Sequence, residues 1–292
     1  MATTSEWVKG ARLRTLPAAI APVLAGTAVA IAAHGFRPLH AALALVVALA
    51  LQVGVNYAND YSDGIRGTDD ERVGPLRLVG SGAATPQAVK RAAFGCFGLA
   101  GVVGLALVVL TGQWWLLALG AACILAAWFY TGGTRPYGYA GLGEAFVFVF
   151  FGLVAVAGTT YVQLLRVPAT AWAAGVFAGA LSAAVLVTNN LRDRAGDAAA
   201  GKRTLAVRLG DGGTRSLYAG LVALGALGVV GTAAGTSWWV LLGLVGFALL
   251  VRPVRDVLGG ADGRALIPTL KATGLAELAA SVGILVGAVI GA

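Results

Sequence analysis

The chain has 292 residues, 58% of them hydrophobic and only 12% charged, with 43 glycines and a mean hydropathy of +0.83. Soluble domains are roughly a quarter charged, so this composition excludes a soluble dinucleotide-binding enzyme, a secreted disulfide scaffold and a disordered tail. It describes an all-α polytopic membrane protein whose solvent is the lipid bilayer. The formal charge of +8 then reports membrane sidedness and not a nucleic-acid partner. Cys96 and Cys123 sit in apolar runs away from any metal-ligand spacing and read as packing residues.

Apolar stretches long enough to cross the hydrocarbon run near 15–33, 39–59, 92–110, 113–130, 142–164, 169–190, 215–233, 236–251 and 266–290, which predicts about nine transmembrane helices. The first follows Lys9, Arg12 and Arg14 and has the outline of a signal peptide, but the charge distribution needs it as a retained span. With the N-terminus placed in the cytoplasm, loops after even-numbered helices share its side. Of the 21 Lys and Arg, all but Arg37 and Arg166 then fall there, as the positive-inside rule demands. Trp114, Trp115, Trp172, Trp238 and Trp239 open helices at the opposite interface, where amphipathic rings prefer to lie. The expectation is a multi-pass protein of the cell membrane with its cavity open to the cytoplasm. Glycines in small-residue spacing, such as Gly95 to Gly104 and Gly175 with Gly179, mark close helix packing.

The 13 carboxylates lie on the cytoplasmic side or in helices near it, and most fall in two clusters. The first runs from Asn56 through Asn59, Asp60, Asp63 and Asp69 to Arg72 at the end of the second span. The second runs from Asn189 through Asp193 to Asp197 at the end of the sixth. If each helix continues a turn or two, Gln52, Asn56, Asp60 and Asp63 share one face, as do Asn189, Asp193 and Asp197. Asn56 to Asn189 and Asp60 to Asp193 are each 133 residues apart. That weak repeat suggests a single domain, 1–292, built of two related halves, about 1–140 and 141–292.

Acidic ladders at membrane depth are costly unless a cation sits between them. Oxygen-only ligands without His or Cys favour Mg²⁺, or Mn²⁺, over Zn²⁺. Mg²⁺ takes one or two carboxylates and completes its shell with waters and phosphate oxygens, so a diphosphate substrate follows. Arg72, Arg77, Lys202, Arg203 and Arg135 are placed to hold phosphate oxygens. Tyr57, Tyr61, Trp128, Phe129, Tyr130, Tyr137 and Tyr139 interleave with the acid, and their ring faces suit an allylic cation. Tyr130 stands out because it borders Gly132, Gly133 and Arg135. Glu144 reads as a helix N-terminal carboxylate or an acceptor contact.

At these residues the chain resembles the UbiA superfamily of intramembrane aromatic prenyltransferases, and within it the menaquinone branch. Four stretches carry the resemblance: RTLPAAIAPVLAGTA (14–28), NYANDYSDGIRGTDDERVGPLRLVGSG (56–82), YTGGTRPYGYAGLGEAFVFVFFGLVAVAGTTYVQ (130–163) and NNLRDRAGDAAAGKRTLAVRLG (189–210). The resemblance implies metal and diphosphate ligation by Asn56, Asn59, Asp60, Asp63, Asp69, Asn189, Asp193 and Asp197. Asp60, Asp63, Asp193 and Asp197 would be catalytic, and Arg72, Arg135 and Lys202 would bind the diphosphate beside Tyr130. It also implies transfer of a polyprenyl group from polyprenyl diphosphate to 1,4-dihydroxy-2-naphthoate, with loss of pyrophosphate and CO₂. In the 4-hydroxybenzoate branch a third Asp follows the second by four residues, whereas here the next after Asp63 is Asp69, which weakens a benzoate assignment. The Asp-x-x-Asp-Gly of Asp60 to Gly64 also opens the signature of CDP-alcohol phosphotransferases, but the rest of that signature is missing. A secondary transporter would hold its polar site near the midplane with access from both faces, unlike this one-sided acid.

Overall fold

The computed structural model describes residues 2–67 and 76–292; Asp69 and Arg72 lie outside the described residues. The chain opens with α1 (Thr4–Gly10), capped reciprocally by Thr3 and Glu6. α2 (Pro17–Ala32) follows at a bend of 49°. Arg12 in that bend holds a left-handed backbone at φ 53°, which a non-glycine residue keeps only where its surroundings over-determine it. Next come α3 (Pro38–Gly64), α4 (Pro86–Thr111) and α5 (Leu116–Phe129). α6 (Gly143–Val147) runs through a π-helical turn, Phe148–Val154, into α7 (Ala155–Leu164). After α8 (Ala169–Ala199) and α9 (Leu205–Ala234), a 3₁₀ stretch, Trp238–Leu250, leads into α10 (Val251–Leu258), and α11 (Leu266–Gly291) closes the chain.

Among the described residues, six helices are long and apolar enough to cross a membrane: α3, α4, α6 through α7, α8, α9 and the one containing α11. The bent pair of α1 and α2 makes a seventh. Large apolar side chains stand exposed along them, as Phe94, Leu99, Val102, Leu105 and Val109 do on α4, which is the surface a bilayer requires. The chain is a multi-pass membrane protein.

Two elements differ from the sequence expectation. The stretch expected as a helix near 236–251 is 3₁₀ over 13 residues. At about 2.0 Å per residue it extends about 26 Å, farther than the same residues would reach as α-helix. Its buried edge repeats every three residues, Val240, Gly243 and Gly246, and lies directly on α11. A Cβ on Gly246 would stand 2.5 Å from the Ala280 nitrogen, and one on Gly287 would stand 2.2 Å from the Trp239 carbonyl oxygen. That contact selects three residues per turn. Helix α9, expected over 215–233, begins at Leu205 and breaks at Gly210 (φ 69°, ψ −171°), a conformation reserved for glycine.

One core joins α2, α7, α8, α9, the 3₁₀ stretch and α11 around Phe177, Leu181, Val229 and Ile284; a second joins α1, α3, α4 and α5 around Tyr57, Leu78 and Phe97. Alternation of the helices brings the segments after α1, α3, α5, α8 and α10 to one end, where Arg12, Gly67, Thr131, Ala200 and Gly263 line a common cavity. The exposed tryptophans Trp114, Trp115, Trp172, Trp238 and Trp239 begin helices at the other end. The close packing at Gly246 has a measurable consequence: Gly246→Ala destabilises the detergent-solubilised protein by about 1–3 kcal/mol, as overpacking does. Gly98→Ala, whose Cβ meets nothing within 4 Å, leaves the unfolding temperature unchanged or raises it.

Candidate active site

The cavity at the loop end has a volume of about 620 Å³. Helix α3 contributes Asn59 and Asp63, and α8 contributes Asn189, Asn190, Arg192, Asp193 and Asp197. Arg77, Tyr130, Thr131, Tyr139 and Lys202 come from connecting segments. The two acidic stretches, far apart in sequence, therefore meet in one space. Asp63 is its hub. Arg77 Nη2 lies 3.2 Å and Lys202 Nζ 3.7 Å from its carboxylate, and the Tyr139 hydroxyl donates to its Oδ1. Lys202 also reaches Asp197 at 3.8 Å and stands 4.5 Å from the centre of the Tyr139 ring, a cation–π contact. Arg192 forks onto Asp193 at 2.7 and 2.6 Å and bonds Asn189 Oδ1 at 2.8 Å.

The connecting segments are tied down by backbone and side-chain bonds. The Arg203 amide donates to the Tyr139 carbonyl at 2.9 Å, and Lys202 N–H to Asp197 O at 2.8 Å. Arg66 donates to the carbonyls of Thr131, at 2.5 Å, and Gly133, while the Thr131 hydroxyl bonds Asn59 Oδ1 at 2.7 Å. Tyr137 outside the spans gives its hydroxyl to Ala126 O; burial pushes its phenol up, so it stays neutral.

The structure redistributes the expected ladder on α3. The stripe turned inward is Gln52, Asn56, Asn59 and Asp63, which follows helical periodicity through Asn59 where the sequence reading has Asp60. Asp60 is fully buried and off the cavity; its Oδ2 and Oδ1 accept the Leu78 and Val79 amides at 2.7 and 3.0 Å. Asn56 donates to the Ala11 carbonyl and Thr15 Oγ1, both at 2.9 Å. Arg135 is exposed and does not line the cavity. Among the described residues, no three His, Cys, Asp or Glu side chains converge as a metal cage; the cavity acids are paired with bases instead. Arg12 and Arg192 are cavity residues that sequence reasoning misses, since an arginine at an inner interface carries no distinguishing pattern, while Tyr139, expected as a ring beside the acid, lines the cavity.

Beneath the cavity lies an apolar chamber of about 270 Å³ that shares Arg12, Asn59, Tyr130 and Asn189 with it. The π-helical turn supplies Phe150 and Phe151 to the chamber wall, and α6 supplies Phe146. A second apolar space of about 380 Å³ shares Leu51, Cys123, Phe150 and Ala155 with that chamber. A charged mouth thus continues, past Tyr130, into a long apolar interior.

A charged cavity above an apolar interior in an all-helical membrane bundle defines a class of intramembrane enzyme, and the comparisons agree. The pattern of the UbiA prenyltransferase family matches residues 19–263, and the chain belongs to this family. The 1,4-dihydroxy-2-naphthoate octaprenyltransferase of Mycobacterium tuberculosis is 56% identical over 278 residues, 95% of this chain and 94% of the relative. Its Escherichia coli counterpart of the same name is 41% identical over 284 residues, covering 92% and 90%. A UbiA homolog from Aeropyrum pernix shares the fold with a TM-score of 0.70 at 15% identity, covering 94% of this chain and 97% of its own. One from Archaeoglobus fulgidus, described as bound to GPP and Mg²⁺, does so with a TM-score of 0.65 at 14% identity, covering 96% and 99%.

The contrast between Asp60 and Asp197 is testable on the protein without substrate. Asp60→Ala orphans the buried Leu78 amide, worth about 1–3 kcal/mol, and the half-buried Val79 amide, and markedly lowers the unfolding temperature. Asp197→Ala at the cavity, whose partner Lys202 keeps Asp63 at 3.7 Å, leaves that temperature far less changed. Equal effects in thermal unfolding would contradict the assignment of Asp60 to scaffolding.

Proposed function

We propose that this chain transfers a polyprenyl group from polyprenyl diphosphate to 1,4-dihydroxy-2-naphthoate, releasing pyrophosphate and CO₂ and giving the hydroquinone form of a demethylmenaquinone for menaquinone biosynthesis. The observation that carries this reading is the junction of the charged cavity with the apolar chamber at Tyr130 and Asn189. It supplies a diphosphate seat and a chain seat with the reactive carbon between them. The names and high identity of the curated relatives support the acceptor.

The donor set fits a hard divalent ion shared with a diphosphate, not one caged by protein alone. Asp63, Asp193 and Asp197, with the amide oxygens of Asn59 and Asn189, would hold Mg²⁺, or Mn²⁺; Asn56 and Asp60 support them from behind, and Asp69 and Arg72 complete the set that family resemblance assigns. An ion held there would supply positive charge against the departing diphosphate. Lys202, Arg77 and Arg192 exchange carboxylates for phosphate oxygens as substrate enters, so basic groups face the charge that grows on the leaving oxygen. Arg135 is a more peripheral diphosphate contact. The allylic C–O bond breaks with its electron pair going to pyrophosphate, and the electron-rich ring forms the new C–C bond. CO₂ leaves the ring where a proton otherwise must, so the net exchange needs no base. Tyr130 and the neighbouring rings face the cationic carbon, and the apolar chamber keeps water from it.

We place the N-terminus and cavity on the cytoplasmic face of the cell membrane and count nine spans, adding α5 and the Trp238–Leu250 stretch to the seven above. The two halves, about 1–140 and 141–292, both reach the chamber, the first through Asn56 and Asn59 and the second through Asn189. In a background lacking Cys96 and Cys123, single cysteines at Arg194 and Arg264 are expected to resist a membrane-impermeant thiol reagent in intact cells while those at Arg37 and Arg166 react; the reverse pattern overturns this orientation.

Turnover by purified protein in nanodiscs tests the reaction. With labelled polyprenyl diphosphate and Mg²⁺, product is expected from 1,4-dihydroxy-2-naphthoate and not from 4-hydroxybenzoate, and EDTA abolishes it. Asp193→Ala and Asp197→Ala each lower turnover by at least about 100-fold with insertion intact. Near-normal rates in either variant contradict the proposed site.

A further inference from the structure

Helix α11 carries Thr269, Thr273, Glu277 and Ser281 at every fourth position, all at most 1% exposed. They form one polar column through the membrane interior. Thr273 is fully engaged, bonded to the Tyr218 hydroxyl at 2.8 Å and to its own helix. Glu277 is not. Its Oε1 takes the Ser182 hydroxyl at 2.7 Å, and among the described residues its Oε2 has no hydrogen-bond partner and no Lys, Arg or His pairs with it. Serine or threonine alone would join two helices here. An ionisable group at this depth is costly and, as a rule, tied to function.

Ser182 links this acid to the reaction chamber. It lies on α8 seven residues before Asn189, two turns deeper or about 10 Å, and it lines the apolar chamber together with Asn189 and Leu186. With its one proton directed to Glu277, the Ser182 oxygen keeps its lone pairs for an O–H donor in the chamber. A polyprenyl chain has no such donor, whereas a dihydroxylated aromatic ring has two.

We infer that Ser182, oriented by Glu277, is a hydrogen-bonding subsite for a phenolic hydroxyl of the aromatic acceptor. This rests on the reading of the chain as an aromatic prenyltransferase. Ser182 touches the acceptor; Glu277 acts through Ser182 and is a positioning residue. The pair selects ring acceptors that carry a hydroxyl over equally apolar rings that lack one, because an unmatched Ser182 would remain buried and half-satisfied.

The experiment measures binding of labelled 1,4-dihydroxy-2-naphthoate and, separately, of labelled polyprenyl diphosphate to the full chain in nanodiscs. Ser182→Ala and Glu277→Leu are expected to weaken naphthoate binding about tenfold and to leave diphosphate binding within about twofold, while Glu277→Gln, which still accepts from Ser182, stays near wild type. If Ser182→Ala does not insert, Ser182→Cys, nearly isosteric with a weakly hydrogen-bonding thiol, carries the same expectation. Parallel weakening of both ligands, or unchanged naphthoate binding, overturns the subsite and leaves the reaction standing. Wild-type protein that binds the diphosphate but not the naphthoate overturns the acceptor assignment itself.

Discussion

Charge inside a bilayer has to be neutralised where it stands, and this constraint organises the loop end of the bundle. Asp63, Asp193 and Asp197 are nearly buried, and each is met by a base: Arg77 and Lys202, Arg192, and Lys202 again. Such a network is costly to desolvate, and removing one member strands another. A substrate that brings both an anion and a cation can exchange partners with it at little net cost. On the proposed reading diphosphate oxygens would take the bases while a divalent ion takes the acids, so the cavity would suit the pair better than either alone.

The same constraint explains why the scaffolding around the cavity is so heavily bonded. Asp60, Arg66 and Thr131 spend their hydrogen bonds on backbone and neighbouring side chains, which fixes the segments that carry Arg77, Tyr130 and Tyr139. Rigid support of this kind holds charged groups in place with no reorganisation at the moment of reaction. Below them the interior turns apolar within the width of Tyr130 and Asn189, and the π-helical turn at Phe148–Val154 widens the helix where aromatic rings enter the chamber wall.

Much of this is legible in the sequence because hydropathy and charge asymmetry are strong signals in lipid. The spans of α2, α3, α4 and α8 and the meeting of the two acidic stretches follow from them. Finer placement is not legible. Asn59, together with Gln52, Asn56 and Asp63, faces inward while its acidic neighbour Asp60 turns away, and composition alone does not separate adjacent positions on a helix. Trp238–Leu250 reads as α-helix until the three-residue glycine spacing is seen against α11. Arg12 and Arg192 reach the cavity through tertiary contacts that no local pattern encodes.

The proposed reaction requires a single substrate lying across the boundary between the charged cavity and the apolar chamber. An experimental structure with Mg²⁺ and a non-hydrolysable polyprenyl thiodiphosphate tests this most directly. The predicted result has the diphosphate among Asp63, Asp197 and Lys202 and the chain passing Tyr130 into the space lined by Phe146 and Phe150. A diphosphate bound elsewhere, or a chain lying outside the chamber along the lipid-facing surface, would contradict it.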